Sequence, residues 1–148
     1  MSHWTNRPHR PAEEPIRVLI VDDHGPFAEA LSLALGAVDG LEIVGAALDG
    51  EEAVVLSHRL EPDVVVMDLQ MPRLDGIGAT RLLRWVTPSA AIVAVSGAAP
   101  PDDVERAFEA GAAAFVPKGA SLLELARTIF DVARPRALLP RRSLDTAA

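Results

Sequence analysis

The stretch VVVMDLQMPRLDG, residues 64–76, joins an unbroken apolar run to an acid and then leads into a segment of helical character. Runs that are apolar at every position are typical of strands buried on both faces of a parallel sheet, whereas half-exposed strands alternate. Asp68 directly follows the apolar run, and the helical pattern starts at about Asp75. The stretch therefore predicts a buried strand that ends at an acid, followed by a loop and a helix.

Four further apolar runs resemble this one, and the starts of the five lie 22 to 27 residues apart. The runs are IRVLIV from Ile16, LEIVGAA from Leu41, VVVM from Val64, AIVAVS from Ala91 and AAFV from Ala113. Stretches of helical length follow them, at roughly residues 26–37, 50–60, 75–86, 102–110 and 121–133. This alternation predicts an α/β fold, a doubly wound five-stranded parallel sheet of the (β/α)5 type with helices on both faces.

Residues near the predicted helix ends support these assignments. Asp49 precedes Glu52 by three residues and Ser121 precedes Glu124 by three, the spacing in which a side-chain oxygen accepts from a free backbone amide at a helix start. Gly111 stands where a helix can end in a left-handed residue. We also expect Trp85, near the end of the third helix, to be partly buried.

Composition narrows the possible functions of the 148-residue chain. It contains no cysteine, which excludes disulfides, thiolate zinc sites and catalytic thiols, and its net charge of −7 argues against nucleic-acid binding. Residues 16–133 have a net charge of −10, whereas residues 1–15 and 134–148 together have +3. We expect a disordered N-terminal lead-in (1–15), one folded domain (16–133) and a basic C-terminal tail or truncated linker (134–148). No apolar run suits a signal peptide or a membrane span, so we expect a cytoplasmic location.

Polar residues directly follow the apolar runs at several predicted strand ends. They are Asp22, Asp23, Asp68, Ser96 and Lys118. Each one alone is commonly a helix cap or a turn residue, but open parallel sheets bind ligands beyond the carboxyl ends of their strands. Strands one and three are neighbours in a common doubly wound order, which would place Asp22, Asp23 and Asp68 in one pocket. Two carboxylates about 4 Å apart repel each other by roughly 4 kcal/mol, so such a trio requires a cation or a proton. Hard oxygen donors favour Mg²⁺, so the sequence predicts a magnesium site.

Lys118 is the only lysine of the chain, against thirteen arginines. A compact ammonium contacts a phosphoryl oxygen as a point charge, although a single lysine can equally be an ordinary surface residue. The hydroxyl of Ser96 offers a hydrogen bond to another phosphoryl oxygen. A metal, a hydroxyl and an ammonium around a carboxylate are what transfer of a phosphoryl group to that carboxylate requires.

These segments resemble the receiver domain of two-component response regulators, whose fold is CheY-like, or flavodoxin-like, with strand order 2-1-3-4-5. The resemblance covers about residues 16–133 and is closest to the NarL/LuxR-type subgroup. The segments that carry it are VLIVDDH (18–24), VVVMDLQMPRLDG (64–76), AVSG (94–97) and FVPKGAS (115–121). It implies that Asp68 accepts a phosphoryl group from a cognate histidine kinase in a Mg²⁺-dependent reaction.

The resemblance also implies a ligand set and a switch. Asp23 and Asp68 would bind Mg²⁺ directly, Gln70 would supply its backbone carbonyl, and Asp22 would act through water. Lys118 would contact the phosphoryl group. Ser96 and Phe115 would be the switch residues, so that the face formed by the fourth helix, fifth strand and fifth helix changes shape on phosphorylation. Gly25 and Pro26 after His24, and Pro117 before Lys118, depart from the family pattern.

Two other functions stay open at this point. A pseudo-receiver would act only through protein contacts, and an Asp-nucleophile phosphatase would want a second carboxylate where Gln70 stands. NarL-type members usually carry a C-terminal helix-turn-helix, for which the fifteen residues after Ala133 are too few, so this is a stand-alone receiver or one truncated in its linker. The further partners that we expect are a second copy of the chain in a homodimer, and a downstream protein or a missing effector domain. We expect no direct binding of nucleic acid or membrane.

Overall fold

The computed structural model describes residues 14–98 and 100–138, with only the backbone described for 134–138. Most of the predicted lead-in, and the tail beyond Leu138, lie outside the described residues. The strands are β1 (Ile16–Val21), β2 (Leu41–Ala47), β3 (Val64–Asp68), β4 (Ala91–Ser96) and β5 (Ala114–Pro117). The helices are α1 (Gly25–Gly36), α2 (Gly50–Leu60), α3 (Gly76–Val86), α4 (Pro101–Ala110) and α5 (Leu122–Leu138).

The five strands form one parallel sheet in the order β2-β1-β3-β4-β5, which confirms the predicted doubly wound fold. The strand order reverses at β1, so β1 and β3 are neighbours although α1, β2 and α2 separate them in the chain. Val21 of β1 pairs with Met67 of β3, and Asp68 pairs with Val95 of β4. This register brings the carboxyl ends of β1, β3 and β4 to the same edge of the sheet.

Alternate residues of the central strands face two separate cores. Val18 and Ile20 pack with α1 and α5 on one face, whereas Leu19 and Val21 pack with α2 and α3 on the other. All four side chains are buried, and burying one such side chain stabilises the fold by about 1.5 to 3 kcal/mol. The unbroken apolar runs in the sequence therefore reflect strands that are covered on both faces.

The predicted helix caps are confirmed. The Asp49 side chain accepts a hydrogen bond from the backbone N–H of Glu52 at 2.7 Å, and the Ser121 hydroxyl accepts one from Glu124 at 3.1 Å. Gly111 ends α4 with a φ of 119°, in the left-handed region that glycine tolerates.

Two local expectations were wrong. Helix α5 continues to Leu138, five residues beyond its predicted end, because backbone hydrogen bonding extends past Ala133, the last apolar core position of the predicted helix. Trp85 is 85% exposed, because α3 turns residues such as Ala79 and Leu83 toward the sheet and Trp85 away from it. Among the residues that the structure describes, none of the helices has the length and apolar character that a bilayer span requires.

Candidate functional site

Three aspartates meet at the carboxyl edge of the sheet. Asp22 and Asp23 follow β1 and Asp68 ends β3, and one carboxylate oxygen from each lies within 4.8 Å of the other two. Asp22 and Asp68 are buried, whereas Asp23 is exposed. The pairing of β1 with β3 causes this meeting, since it places the residue after Val21 next to the end of β3. The predicted acid cluster is thus brought together.

Local backbone geometry orients the two buried carboxylates. The Oδ1 atom of Asp22 accepts a hydrogen bond from the backbone N–H of His24 at 2.8 Å. The Oδ1 atom of Asp68 accepts one from the backbone N–H of Gln70 at 3.0 Å. Aspartate side chains commonly bond the backbone two residues further on. In each case one oxygen is held by the chain's own turn.

The ammonium of Lys118 lies among these acids. Lys118 directly follows β5, where its backbone N–H donates to the carbonyl of Ser96 at 3.0 Å. Its Nζ lies 2.9 Å from Oδ2 of Asp22 and 3.6 Å from Oδ2 of Asp68. The chain's single lysine is therefore an ion-pair partner of two buried acids.

The surroundings shift the pKa values of Asp68 and Lys118. Burial raises the pKa of Asp68 from 3.8 to about 6, and the nearby charges of Asp22 and Asp23 add to the rise, while the Gln70 amide and the Lys118 ammonium oppose it. Burial lowers the pKa of Lys118, but Asp22 and Asp68 outweigh that effect and hold it above its usual value. The acid cluster thus retains an excess of negative charge that favours binding of a proton or a cation.

Ser96 provides a buried hydroxyl at the end of β4. Its side chain is 1% exposed, and its Oγ has no hydrogen-bond partner. The hydroxyls of Ser57 and Thr87 are likewise buried without a partner, so this feature alone does not mark a ligand site. Ser96 differs from them by its place at the end of β4, next to the end of β3 that carries Asp68.

Phe115 and Gln70 are the remaining residues predicted for the site, and they lie close in sequence to Lys118 and Asp68 respectively. Phe115 in β5 is half-buried and packs against a small cluster that includes Ala94, Ala107 and Leu69. Gln70 is exposed in the loop after β3, and its backbone N–H contacts the Asp68 carboxylate. His24, which directly follows the acid pair, caps α1: its Nδ1 accepts a hydrogen bond from the backbone N–H of Phe27 at 3.1 Å.

The close approach of Gly76 was not predicted from the sequence. A Cβ atom at this position would lie 2.1 Å from the backbone oxygen of Asp68 and 2.6 Å from the Cα of Leu69. The start of α3 therefore packs directly against the backbone that carries the central acid. Asp75-Gly76 was visible as a motif, but only the folded chain shows that glycine is required there by space.

Phe27 was also not predicted. Its ring lies beneath the Lys118 ammonium, with Nζ 4.8 Å from the ring centroid. This distance is within the range of a cation–π interaction. The sequence offered no clear signal for it, since Phe27 and Lys118 are ninety-one residues apart.

The site fits a hard divalent cation. All three side chains of the cluster are aspartates, which offer the hard carboxylate oxygens that such an ion prefers. The unpartnered Ser96 hydroxyl and the Lys118 ammonium complete a pocket that neutralises negative oxygens on a ligand. Carboxylate, ammonium and hydroxyl together suit the binding of a phosphoryl group.

Comparisons with known proteins agree with this arrangement. A family model described as the response regulator receiver domain matches residues 18–130. Response regulator GacA from Pseudomonas viridiflava is 41% identical over 114 residues, which cover 77% of this chain and 53% of GacA. The chain therefore spans about half the length of the curated relatives it matches.

Solved structures show the same fold. The crystal structure of a LuxR-family two-component response regulator from Aurantimonas sp. SI85-9A1 has a TM-score of 0.78 at 33% identity, covering 83% of this chain and 88% of that one. The signal receiver domain of NarL from Mycobacterium tuberculosis has a TM-score of 0.78 at 31% identity, covering 82% and 98%. Receiver domains are phosphoacceptor switches that bind Mg²⁺ in an acidic pocket and interact with histidine kinases. The chain belongs to the receiver domain family of two-component response regulators.

Proposed function

We propose that Asp68 of this chain accepts a phosphoryl group from a histidine kinase and so switches the face formed by α4, β5 and α5. The observation that carries the proposal is the buried Asp68 carboxylate, which lies in a cluster of three acids beside the Lys118 ammonium, at the sheet edge where β4 ends in Ser96. Lys118 Nζ lies 3.6 Å from Asp68, and the Ser96 hydroxyl has no hydrogen-bond partner of its own.

We propose that the site binds Mg²⁺, because the acidic side chains of the pocket outnumber its basic ones. Asp22, Asp23 and Asp68 face a single ammonium, that of Lys118. Asp23 and Asp68 would hold the ion directly, Gln70 would contribute its backbone carbonyl and Asp22 would act through water. When bound, Mg²⁺ supplies positive charge that offsets the charge on the transferring phosphoryl oxygens.

Asp68, Lys118 and Ser96 would each have a separate role in the phosphoryl transfer. An oxygen of Asp68 forms a new P–O bond while the P–N bond of the donor phosphohistidine breaks, and the electron pair stays with the donor imidazole. Lys118 neutralises charge on one phosphoryl oxygen, and Ser96 donates a hydrogen bond to another. The reaction requires a deprotonated Asp68, which its pKa of about 6 permits at neutral pH.

The switch would begin when the Ser96 hydroxyl forms a hydrogen bond to the new phosphoryl group. As Ser96 moves toward that group, space opens at the end of β4. Phe115, half-buried on the adjacent strand β5, would fill this space; in support, it pairs with Ala94, two residues before Ser96 on β4. This rearrangement would alter the surface of α4, β5 and α5 and so shift the population of two packing arrangements.

Several wider assignments belong to the same proposal. Residues 16–133 would form the receiver, between a lead-in at 1–15 and a tail or linker at 134–148. Its partners would be a cognate histidine kinase, a downstream protein or an effector domain, and a second copy of the chain in a homodimer. The protein would act as a switch that assists its own phosphorylation and dephosphorylation. A cytoplasmic location and the lack of nucleic-acid binding stay predictions.

The proposal is tested by intact-mass measurement after incubation with acetyl phosphate and Mg²⁺. Wild type is expected to gain the mass of one phosphoryl group, and Asp68→Asn is expected to gain none. Omitting Mg²⁺ should suppress the gain in wild type. If wild type gains no mass, and BeF₃⁻ with Mg²⁺ leaves its backbone NMR spectrum unchanged, the chain is a pseudo-receiver. Sustained turnover of a phosphate ester would instead indicate a phosphatase.

A further inference from the structure

The ammonium of Lys118 is held from two directions. Oδ2 of Asp22 lies 2.9 Å from Nζ, and the ring centroid of Phe27 lies 4.8 Å from it. An anion and the negative face of an aromatic ring both attract a cation. The Lys118 side chain is 26% exposed, so water competes less for this ammonium than for one on the surface.

Both contacts come from one short segment of the chain, residues 22–27. The backbone N–H of His24 holds Asp22, and the His24 imidazole accepts from the backbone N–H of Phe27. Pro26 lies in the first turn of α1, where its fixed φ suits a helix start. This segment includes the Gly25-Pro26 pair that departs from the family pattern. Its hydrogen bonds connect the Asp22 carboxylate to the backbone of His24, and the His24 imidazole to the backbone of Phe27.

An apolar cavity lies beside the ring. Its volume is about 190 Å³, and Phe27 and the Lys118 stem form part of its wall. Most of the remaining wall is apolar, from Leu31, Val95, Val116, Leu122 and Leu125. The Phe27 ring therefore stands where the lysine side chain meets an apolar space, and without the ring that side chain has more room to leave the acids.

We propose that Phe27 is a positioning residue that keeps the Lys118 ammonium at the acid pocket. The proposal rests on the proposed function only for its effect on phosphorylation. Replacing Phe27 with leucine keeps an apolar side chain but removes the aromatic face. The rate of Asp68 modification by acetyl phosphate should fall about three- to tenfold, the size expected from loss of one cation–π contact.

The position of Lys118 can be observed directly, because it is the only lysine of the chain. Protein labelled with ¹³C-lysine gives one set of ε-CH₂ signals. In wild type these protons are expected upfield of their position in the unfolded protein, because the Phe27 ring lies next to them. Phe27→Leu should abolish this ring-current shift, and Phe27→Tyr should retain it. Phe130→Leu, the same change at a half-buried phenylalanine on α5, should leave it unaltered.

The labelling rate with acetyl phosphate provides the second readout. Phe27→Leu should be slower than wild type, Phe27→Tyr should restore the rate, and Phe130→Leu should match wild type. Should Phe27→Leu unfold, Phe27→Met asks the same question with another apolar side chain. Equal rates in wild type and Phe27→Leu, with equal mobility of the Lys118 Cε in ¹³C relaxation, would overturn the positioning role and leave the proposed function standing. If wild type is not labelled at all, the proposed function fails, and the ¹³C relaxation decides: greater Cε mobility in Phe27→Leu than in wild type supports the positioning role, and equal mobility overturns it.

Discussion

Lys118 and Asp22 form an ion pair of 2.9 Å at the carboxyl edge of the sheet, and the Asp22 side chain is 4% exposed. A partly buried pair of this kind is screened less by salt than a surface pair. The pair compensates one of the three acids, so the pocket keeps an excess of negative charge before any ligand binds. This balance of charge governs the first prediction.

Lys118→Gln should bind Mg²⁺ more tightly than wild type, by at least about threefold, because it removes a positive charge that repels the ion and competes for Asp22 and Asp68. Isothermal titration of the purified proteins with Mg²⁺ measures the difference. Lys118→Arg retains the charge and should stay near the wild-type affinity. Equal or weaker binding by Lys118→Gln would show that the ammonium and the ion do not share this pocket.

Ser96→Ala should leave the stability of the unmodified protein unchanged or slightly increased, within about 1 kcal/mol, because the Ser96 hydroxyl is buried without a hydrogen-bond partner. The same change should slow labelling by acetyl phosphate, since one donor to the phosphoryl group is lost. Urea unfolding and intact mass provide the two readouts. Ser96→Thr, which keeps a hydroxyl, is the control. A clear loss of stability in Ser96→Ala would mean that the hydroxyl already has a structural partner.

Asp68→Asn should stabilise the metal-free protein at neutral pH. The pKa of Asp68 is about 6 in the fold, against 3.8 for an ordinary aspartate, so between these values the folded chain holds more protons than the unfolded one. Stability therefore falls as pH rises through this window, and above pH 6 the folded protein bears the whole cost of an ionised Asp68. The substitution removes that cost, which is about 1 to 3 kcal/mol.

The measurement is urea unfolding in the presence of a chelator at pH 3.5 and pH 7. Asp68→Asn should exceed wild type in stability at pH 7, and the difference should shrink at pH 3.5, where Asp68 is protonated in the folded state and mostly protonated in the unfolded state. A difference of the same size at both pH values would assign the effect to packing rather than to charge.

Gly76→Ala should destabilise the fold by about 3 kcal/mol or more, because its Cβ would lie 2.1 Å from the backbone oxygen of Asp68. Gly119→Ala is the matched control: a Cβ there meets nothing within 4 Å, so its effect should stay within about 1 kcal/mol. Urea unfolding of both variants gives the comparison. Similar stabilities for the two would contradict the close approach of α3 to the end of β3.

Most of the fold and the meeting of the acids could be predicted from the sequence. Continuous apolar runs specify a sheet covered on both faces, and polar residues at the ends of several runs mark the edge where strands end. Asp22, Asp23 and Asp68 therefore followed from local pattern together with one topological rule, the adjacency of β1 and β3. Lys118 stood out because the chain has no other lysine.

Other features depend on tertiary contacts that no local pattern encodes. Phe27 lies on α1 and Lys118 after β5, and only the folded chain brings the ring to the ammonium. The direction in which Trp85 points depends on how α3 is rotated about its axis, which a single aromatic residue does not specify. Helix α5 continues to Leu138, five residues beyond the end that the sequence pattern predicted.

The most direct test of the account identifies the residue that carries the phosphoryl group. After treatment with acetyl phosphate and Mg²⁺, borohydride reduction converts an aspartyl phosphate to homoserine, which tandem mass spectrometry locates. Trypsin should release residues 60–73, which contain both Asp63 and Asp68. The account predicts homoserine at position 68 alone. Homoserine at another acid, or at none in a protein that still binds Mg²⁺, would contradict it.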